Sequence, residues 1–122
     1  MSARLPAAQR LRPLGLDDLD AVMAVERRAY PFPWTRGIFT DCIRAGYACW
    51  LLEDGGVVQG YGVLSIAAGE AHLLNLCVDP ALQGHGLGRY LLGKMVELAR
   101  WQRAERLFLE VRPSNRAALA LY

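Results

Sequence analysis

A glycine-rich segment, LQGHGLGRYLL, stands between a run that predicts a β-strand and a run that predicts a helix. The preceding run, HLLNLCVDP, is apolar on both faces, which is typical of a strand in a covered sheet, and Asp79-Pro80 ends it. The following run carries apolar residues three or four apart: Leu87, Leu91, Met95 and Leu98. This spacing predicts an amphipathic helix from Gly86 to Gln102 or Arg103. Because RLFLEVR supplies another strand, the segment predicts one βαβ unit.

The first third of the chain predicts an edge strand and two helices. Residues 10–14 can form the strand, and a first helix runs from an N-cap at Asp17 or Asp18 to about Tyr30. Its predicted inward residues are Leu19, Val22, Met23 and Glu26. PFPW interrupts the pattern, and a shorter helix follows in TRGIFTDCIRAG, where Gly46 ends it. The predicted inward residues of this second helix are Ile38, Phe39, Cys42 and Ile43.

Two turns connect the next three strands. YACWLLE and VVQGYGVLSIA are joined by Asp54-Gly55-Gly56, and Ala68-Gly69 makes the turn that leads to HLLNLCVDP. Near the end, Pro113 and Ser114-Asn115 begin a last helix, NRAALALY. The order β, α, α, β, β, β, α, β, α predicts an α/β fold, α+β by some schemes, with a mixed central sheet flanked by helices. The length predicts a single domain, residues 1–122.

Composition excludes several classes of protein and partner. Fourteen basic and twelve acidic side chains leave a formal charge of +2, and the scattered arginines argue against a nucleic-acid partner. The N-terminus lacks the apolar core of a signal peptide, and no apolar run approaches the roughly 18 residues of a membrane span. The three cysteines form no CxxC pair, so we expect no structural metal. A soluble protein of the reducing cytoplasm is the expectation.

The alternating glycines Gly84, Gly86 and Gly88 are compatible with three kinds of phosphate site. The dinucleotide motif GxGxxG has a different spacing and needs an acidic residue after the next strand. A P-loop matches GxxxxGK by letter, but Met95 stands where a magnesium-binding Ser or Thr is required. A strand, a glycine turn and a helix N-terminus, with Arg89 beside it, suit a pyrophosphate. Glycines that only make a tight turn are the structural alternative.

Gln83-Gly84-His85-Gly86-Leu87-Gly88 resembles the Q/R-x-x-G-x-G/A motif of GNAT acetyltransferases, which grips the pyrophosphate of acetyl-CoA. Within this family the chain is similar to the RimI-type ribosomal-protein alanine N-acetyltransferases. The resemblance rests on ERRAYPFPWT, NLCVDPALQGHGLGRYLL and LEVRPSNRAALALY, and the last segment is the more specific. In these relatives a Gly-Phe and further strands follow the last helix. We therefore expect a chain that lacks the C-terminal part of the GNAT fold after Tyr122.

The resemblance implies acetyl-CoA as co-substrate, no metal, and a set of cofactor-binding residues. These are Leu76, Cys77, Val78, Gln83, Gly84, His85, Gly86, Leu87, Gly88, Arg89 and Asn115. In GNAT proteins the strand that contains the first three splays from its neighbour, so that its backbone bonds the pantetheine arm. A backbone N–H there can also stabilise the oxyanion of the thioester. Asn115 has the alternative role of a helix cap.

The resemblance also implies catalytic roles for Glu110 and Tyr122. Glu110 matches the proton acceptor, and we expect burial in its strand to raise its pKa toward the pKa of an α-ammonium, near 8. The alternative is a glutamate paired with an arginine at a strand end. Tyr122 matches the proton donor to the coenzyme A sulfur, or it anchors the last helix. An acetyl-cysteine on Cys77 is less favoured than direct attack, because no histidine lies nearby in sequence to activate the thiol.

The loop Tyr30-Pro-Phe-Pro-Trp34 resembles the acceptor-side segment of the same relatives, although its aromatic residues also suit core filling. The implied acceptor is a protein N-terminus, the alanine of ribosomal small-subunit protein eighteen. Two alternatives remain open: a GNAT enzyme that acetylates a small amine, and a non-catalytic acyl-CoA-binding module. Glu110 and Tyr122 together favour catalysis, whereas the early end of the chain favours the module.

Overall fold

The fold is a mixed five-stranded sheet with helices on both faces, and a computed structural model describes residues 9–110 of it. The elements in chain order are β1 (Gln9–Pro13), α1 (Leu19–Ala29), α2 (Arg36–Arg44), β2 (Ala48–Asp54), β3 (Val57–Ala67), β4 (Glu70–Val78), α3 (Leu87–Trp101) and β5 (Arg106–Leu109). Short 3-10 turns, Leu16–Asp18 and Pro80–Leu82, precede α1 and follow β4. The predicted α/β class and element order are confirmed for this range. The predicted last helix, with Asn115 and Tyr122, lies outside it.

The strands lie in the order β1-β2-β3-β4-β5. The first three pairs are antiparallel, and β4 pairs with β5 in parallel across α3, as the βαβ prediction requires. Gly55 and Gly56 take φ of +57° and +84° in the β2–β3 turn. Ala68 and Gly69 take φ of +54° and +78° in the β3–β4 turn, which makes Ala68 the strained member. Positive φ at both central residues matches the right-handed twist of the paired strands.

Two apolar clusters fill the two faces of the sheet. The cluster under α1 and α2 includes Val22, Phe39 and Tyr61, and the cluster under α3 includes Leu73, Leu91 and Met95. Val22 and Phe39 come from α1 and α2. The strands contribute Tyr61 and Leu73, and one stripe of α3 contributes Leu91 and Met95, as a sheet covered on both faces requires. No described helix combines the length and the apolar character that crossing a membrane would take.

The helix-face predictions hold for α1 and fail at one position of α2. Leu19, Val22, Met23 and Glu26 are all buried. Ile38 was expected inward but is 40% exposed, because α2 covers the sheet mainly through Phe39 and Cys42. The predicted N-cap Asp18 precedes α1, yet its carboxylate accepts from the Gly15 N–H and pairs with Arg12 rather than bonding the helix.

Candidate functional site

The described pairing of β4 with β5 covers only the first part of β4. Their parallel pairing runs from Glu70 with Arg106 to Leu73 with Leu109. The Glu110 N–H then donates to the Leu73 carbonyl at 3.2 Å. Beyond this point β4 continues to Val78 and keeps its pairing with β3, but within residues 9–110 it has no further β5 partner. The side of β4 that faces away from β3 beyond Leu73, unpaired within the described residues, is called the gap.

Backbone groups of Leu76 and Val78 turn toward this gap. The Asp79 N–H donates to the Gln59 carbonyl at 2.8 Å, so the backbone of Asp79 faces β3. Because successive residues of a strand turn their backbone groups to opposite sides, Cys77 also faces β3, while Leu76 and Val78 face away from it. Two side-chain donors agree with this assignment. Tyr30 Oη donates to the Leu76 carbonyl at 3.0 Å, and Gln83 Nε2 donates to the Val78 carbonyl at 3.4 Å.

The glycine segment joins the end of β4 to the start of α3. Gly84 and Gly86 take φ of +85° and +81°, in the left-handed region that favours glycine. A Cβ at either position would meet no atom within 4 Å, so backbone conformation and not space requires glycine there. Gly86 is the N-cap of α3, and Gly88 lies in the first turn of that helix.

The N-terminus of α3 is free of acidic side chains in its first turn. Its orphan N–H groups and the positive end of the helix dipole therefore favour an anion. His85 and Arg89 are exposed beside it, and Leu87 is half-buried. Of the residues predicted from sequence to bind a phosphate, all from Gln83 to Arg89 are brought to this one corner at the open end of β4. Gln83 itself bonds the strand.

Glu110 lies immediately after β5, and the expectation that it is buried is wrong. Its side chain is 61% exposed, and Phe108 and Leu109 within β5 are also more than 40% exposed, so this strand is not covered as a central strand would be. His72 on β4 stacks on Phe108 with ring centroids 4.9 Å apart. This places His72 Nδ1 4.0 Å from Glu110 Oε1 and His72 Nε2 3.9 Å from Glu70 Oε1. An imidazole between two carboxylates was not predicted from the sequence.

The three cysteines are buried and unbridged. Burial raises the pKa of Cys42, and burial followed by the neighbouring Cys42 raises the pKa of Cys49 to about 11. Both thiols therefore stay protonated and unreactive near neutral pH. Within the described part of the chain no group of three or more His, Cys, Asp or Glu side chains is arranged to hold a metal ion.

A buried polar cluster links the segment of residues 30–34 to the sheet. Glu26, which is fully buried, accepts from Tyr61 Oη at 2.7 Å, from Asn75 Nδ2 at 3.1 Å and from the Trp34 N–H at 2.9 Å. Burial, followed by the neighbouring Cys77 and Glu26, raises the pKa of Tyr61, so its hydroxyl remains a donor. Sequence reasoning placed Glu26 inward but did not foresee its partners. A charged residue among apolar helix positions was the available signal.

The aromatic residues of the same segment divide between core and surface. Trp34 packs edge-on against Phe39 at 5.1 Å, and Phe39 packs against Tyr61 at 5.7 Å. Tyr30 is 6% exposed, whereas Phe32 is 84% exposed. The loop therefore fills the core at its two ends and presents Phe32 at its tip, which confirms the core-filling interpretation for Tyr30 and Trp34, whereas the acceptor-side role stays a prediction.

Comparison with known proteins gives a consistent set of similarities. The profile of the acetyltransferase (GNAT) family matches residues 19–122. The chain is 37% identical over 105 residues to the [ribosomal protein bS18]-alanine N-acetyltransferase of Escherichia coli K12, covering 86% of this chain and 71% of that protein.

Solved structures give the same picture for the fold. The crystal structure of the ribosomal-protein-S18-alanine N-acetyltransferase from Escherichia coli aligns with a TM-score of 0.84 and 35% identity, over 93% of this chain and 74% of that one. Ard1 from Thermoplasma volcanium aligns with a TM-score of 0.85 and 25% identity, over 95% and 80%. The protein yncA from Salmonella typhimurium, solved with its cofactor acetyl-CoA, shares the fold at a TM-score of 0.71 and 22% identity, over 93% of this chain and 76% of that one.

Proposed function

The chain belongs to the GNAT family of acetyltransferases, and we propose that it transfers the acetyl group of acetyl-CoA to a protein N-terminus, the alanine of ribosomal protein bS18. The likeness to bS18-alanine N-acetyltransferases supports this acceptor and is the observation that carries the proposal. We further propose that residues 1–122 form one catalytic domain that works in the cytoplasm, with no nucleic acid or membrane as direct partner.

The gap between β4 and β5 fits acetyl-CoA as co-substrate. N–H groups of Leu76 and Val78, which turn toward the gap, suit the amide carbonyls of an extended pantetheine arm. The anion-favouring N-terminus of α3 lies where β4 ends, so Gly84, Gly86 and Gly88 would hold the pyrophosphate with Arg89 as counter-charge. Cys77, predicted from the resemblance to bind the cofactor through its backbone, lies between these two residues, but its backbone groups face β3 and its side chain is buried. Asn115, carried over from the family, completes the proposed cofactor set.

Glu110 is the proposed base. It removes a proton from the ammonium of the acceptor, directly or through one water, and its solvent exposure allows that proton to leave to bulk water. An α-ammonium has a pKa near 8, so a substantial fraction of the acceptor is already a free amine close to neutral pH. The base therefore acts on an ammonium that already loses its proton readily near neutral pH, unlike the ammonium of a strongly basic amine. An exposed carboxylate can assist this step.

Acetyl transfer then proceeds by direct attack. The amine nitrogen bonds to the thioester carbonyl carbon, and the carbonyl oxygen gains negative charge that a backbone N–H on the open edge of β4 stabilises. The carbon–sulfur bond breaks, Tyr122 donates a proton to the departing thiolate, and the nitrogen releases its remaining extra proton to solvent as the amide forms. The role of Tyr122 is carried over from the family by sequence. Direct attack requires a ternary complex. Double-reciprocal plots of initial rate against acetyl-CoA concentration, measured at several acceptor concentrations, should therefore intersect, whereas an acetyl-cysteine on Cys77 would give parallel lines.

A panel of acceptors tests the proposal. Coenzyme A release is measured with peptides that begin with Ala, Ser, Met or Gly and with polyamines, each at matched concentration. We expect turnover on the Ala peptide that carries the N-terminal sequence of bS18, and less on the others. Turnover restricted to polyamines would favour a small-amine acetyltransferase. Saturable coenzyme A binding without turnover on any acceptor would favour the non-catalytic module.

A further inference from the structure

Glu26 is a buried carboxylate that the proposed chemistry does not use. Its side chain is 0% exposed and lies on the sheet-facing side of α1. Glutamate is almost never fully buried unless its charge is compensated by close partners. Three donors supply that compensation here: Tyr61 Oη from β3, Asn75 Nδ2 from β4 and the main-chain N–H of Trp34. One carboxylate thus joins two strands to the loop of residues 30–34.

The two ends of that loop are both fixed to the part of the sheet that borders the gap. At one end Tyr30 Oη reaches the Leu76 carbonyl, one of the groups that turn toward the gap. At the other end Glu26 Oε2 accepts from the Trp34 N–H, while Glu26 Oε1 holds Asn75, the neighbour of Leu76. Between these anchors Phe32 projects with 84% of its surface exposed. The loop therefore has a defined position relative to β4 and an exposed apolar tip.

We propose that Glu26 is a positioning residue for the acceptor: it holds the loop of residues 30–34 at a fixed place beside the open edge of β4. The inference rests on the proposed function, because it assigns the acceptor site to this loop. Since transfer needs the amine within reach of the thioester carbon, displacement of the loop by an ångström weakens acceptor binding and transfer. Tyr30 supports the same placement from the other end.

The chemistry of the cluster is specific to a carboxylate. Each oxygen of Glu26 accepts from donors on a different side, Oε1 from the sheet and Oε2 from the loop. A glutamine of the same shape has one acceptor oxygen, so its NH2 group must face either Tyr61 and Asn75 or the Trp34 N–H. Toward the loop this NH2 group meets the Trp34 N–H, and toward the sheet it meets the Asn75 NH2 group, although the Tyr61 hydroxyl can rotate to accept. Glu26→Gln therefore releases one side of the cluster while it keeps the volume of the core.

The test compares Glu26→Gln with a matched variant of another buried glutamate. Glu53 is 7% exposed and pairs with Arg10 and Arg12 at the β1 end of the sheet, away from the loop. Glu53→Gln thus carries the same chemical change without a link to residues 30–34. For both variants and for Tyr30→Phe, KM is measured separately for acetyl-CoA and for the acceptor that the wild-type enzyme uses, together with the midpoint of thermal unfolding.

We expect Glu26→Gln and Tyr30→Phe to raise the acceptor KM about fivefold or more, a loss typical of one hydrogen bond, and to change the acetyl-CoA KM less than about twofold. Glu53→Gln should lower the unfolding midpoint but leave both KM values near wild type. If Glu26→Gln and Tyr30→Phe lower the midpoint and leave the acceptor KM unchanged, Glu26 is merely structural and the proposal is wrong. If the wild-type enzyme does not acetylate the peptide, only the proposed function is overturned. The KM of the variants for a small-amine acceptor still tests whether Glu26 positions the loop.

A second readout does not depend on turnover. Amide hydrogen exchange of the Trp34 N–H reports directly on its bond to Glu26. We expect exchange at Trp34 to accelerate about tenfold or more in Glu26→Gln and to stay unchanged in Glu53→Gln. Unchanged exchange at Trp34 in a folded Glu26→Gln protein would contradict the role assigned to Glu26.

Discussion

Leu73 on β4 and Leu109 on β5 form the last pair of the parallel ladder within residues 9–110. The part of β4 beyond this pair contains the residues that the sequence assigns to the cofactor, Leu76 to Val78, and it leads directly to the glycine segment before α3. The backbone groups of Leu76 and Val78 that face away from β3 are the ones that a ligand could use. Four predictions test this arrangement and the sheet that supports it.

Replacing Gly86 by alanine should weaken acetyl-CoA binding specifically. Gly86 has φ of +81°, where an alanine is strained by about 1–2 kcal/mol. Because Gly86 caps α3 at the proposed pyrophosphate site, we expect the acetyl-CoA KM to rise about tenfold. Gly56→Ala is the control, since Gly56 has φ of +84° in the β2–β3 turn and equally open space around it. It should cost similar stability in urea unfolding with an unchanged KM; equal KM effects would argue against the site.

Glu110→Gln should lower kcat by about 100-fold or more near pH 7, the usual contribution of a general base. The loss should shrink as the pH rises, because more of the acceptor is then already a free amine. Glu70→Gln is the matched control, since Glu70 lies on the other side of His72 at 3.9 Å. The measurement is kcat from pH 6 to pH 9 for the three proteins. A kcat of Glu110→Gln equal to wild type across this range would remove Glu110 as the base.

Asp18 should make the protein more stable above about pH 4 than below it. An unperturbed Asp carboxyl has a pKa of about 3.9. The hydrogen bond from Arg12 holds the pKa of the Asp18 carboxyl below this value, with help from the Gly15 N–H. Because the folded-state pKa is the lower one, the stabilisation is complete above the unfolded-state pKa and is lost as the pH falls through the folded-state pKa. We expect Asp18→Asn to cost about 1–2 kcal/mol at pH 7 and to flatten the acid limb of the stability curve.

The control for Asp18 is its exposed neighbour Asp17. Asp17→Asn should change stability at pH 7 by less than about 0.5 kcal/mol and keep the wild-type acid limb. The measurement is the free energy of unfolding in urea from pH 2 to pH 7. An acid limb that is equally steep in Asp18→Asn and wild type would show that Asp18 does not contribute to it.

Gly60 and Gly62 lie two residues apart on β3 but should differ in their tolerance of alanine. A Cβ at Gly60 would lie 2.7 Å from the main-chain carbonyl oxygen of Cys77, whereas a Cβ at Gly62 would lie 2.8 Å from Met95 Sδ. A backbone oxygen cannot move without β4, but a methionine side chain can adopt another rotamer. We therefore expect Gly60→Ala to cost about 2–3 kcal/mol and Gly62→Ala about 1 kcal/mol or less. Equal losses in urea unfolding would contradict this difference.

Local sequence signals predicted the parts of the fold that depend on neighbouring residues. The β2–β3 turn at Gly55 and Gly56 and the spacing of Leu91 and Met95 on α3 are examples, since turn conformation and helix periodicity are encoded within a few residues. The corner that gathers Gln83 to Arg89 was predicted because the whole segment is continuous. The resemblance to the family then supplied roles for individual residues that the spacing of apolar and glycine residues cannot indicate.

Long-range contacts account for what the sequence did not predict. Glu110 was expected in a buried strand, but β5 ends one residue earlier, and strand length depends on partners elsewhere in the chain. Ile38 follows the helical period of α2 but lies at the margin of the covered face. The Glu26 cluster joins residues as far as 49 positions apart, so only the folded chain reveals that an inward glutamate has donors on both sides.

The hydrogen bonds from Tyr30 to Leu76 and from Gln83 to Val78 also bear on how the side of β4 that faces away from β3 would meet a strand of another molecule. An unpaired strand edge invites strands from other molecules, which need alternating donors and acceptors to form a ladder. Tyr30 and Gln83 already donate to these two carbonyls. An incoming strand therefore finds N–H groups to which it can bond, but carbonyl acceptors that are already occupied. The edge can therefore stay open to a ligand rich in carbonyl oxygens while it discourages β-sheet aggregation.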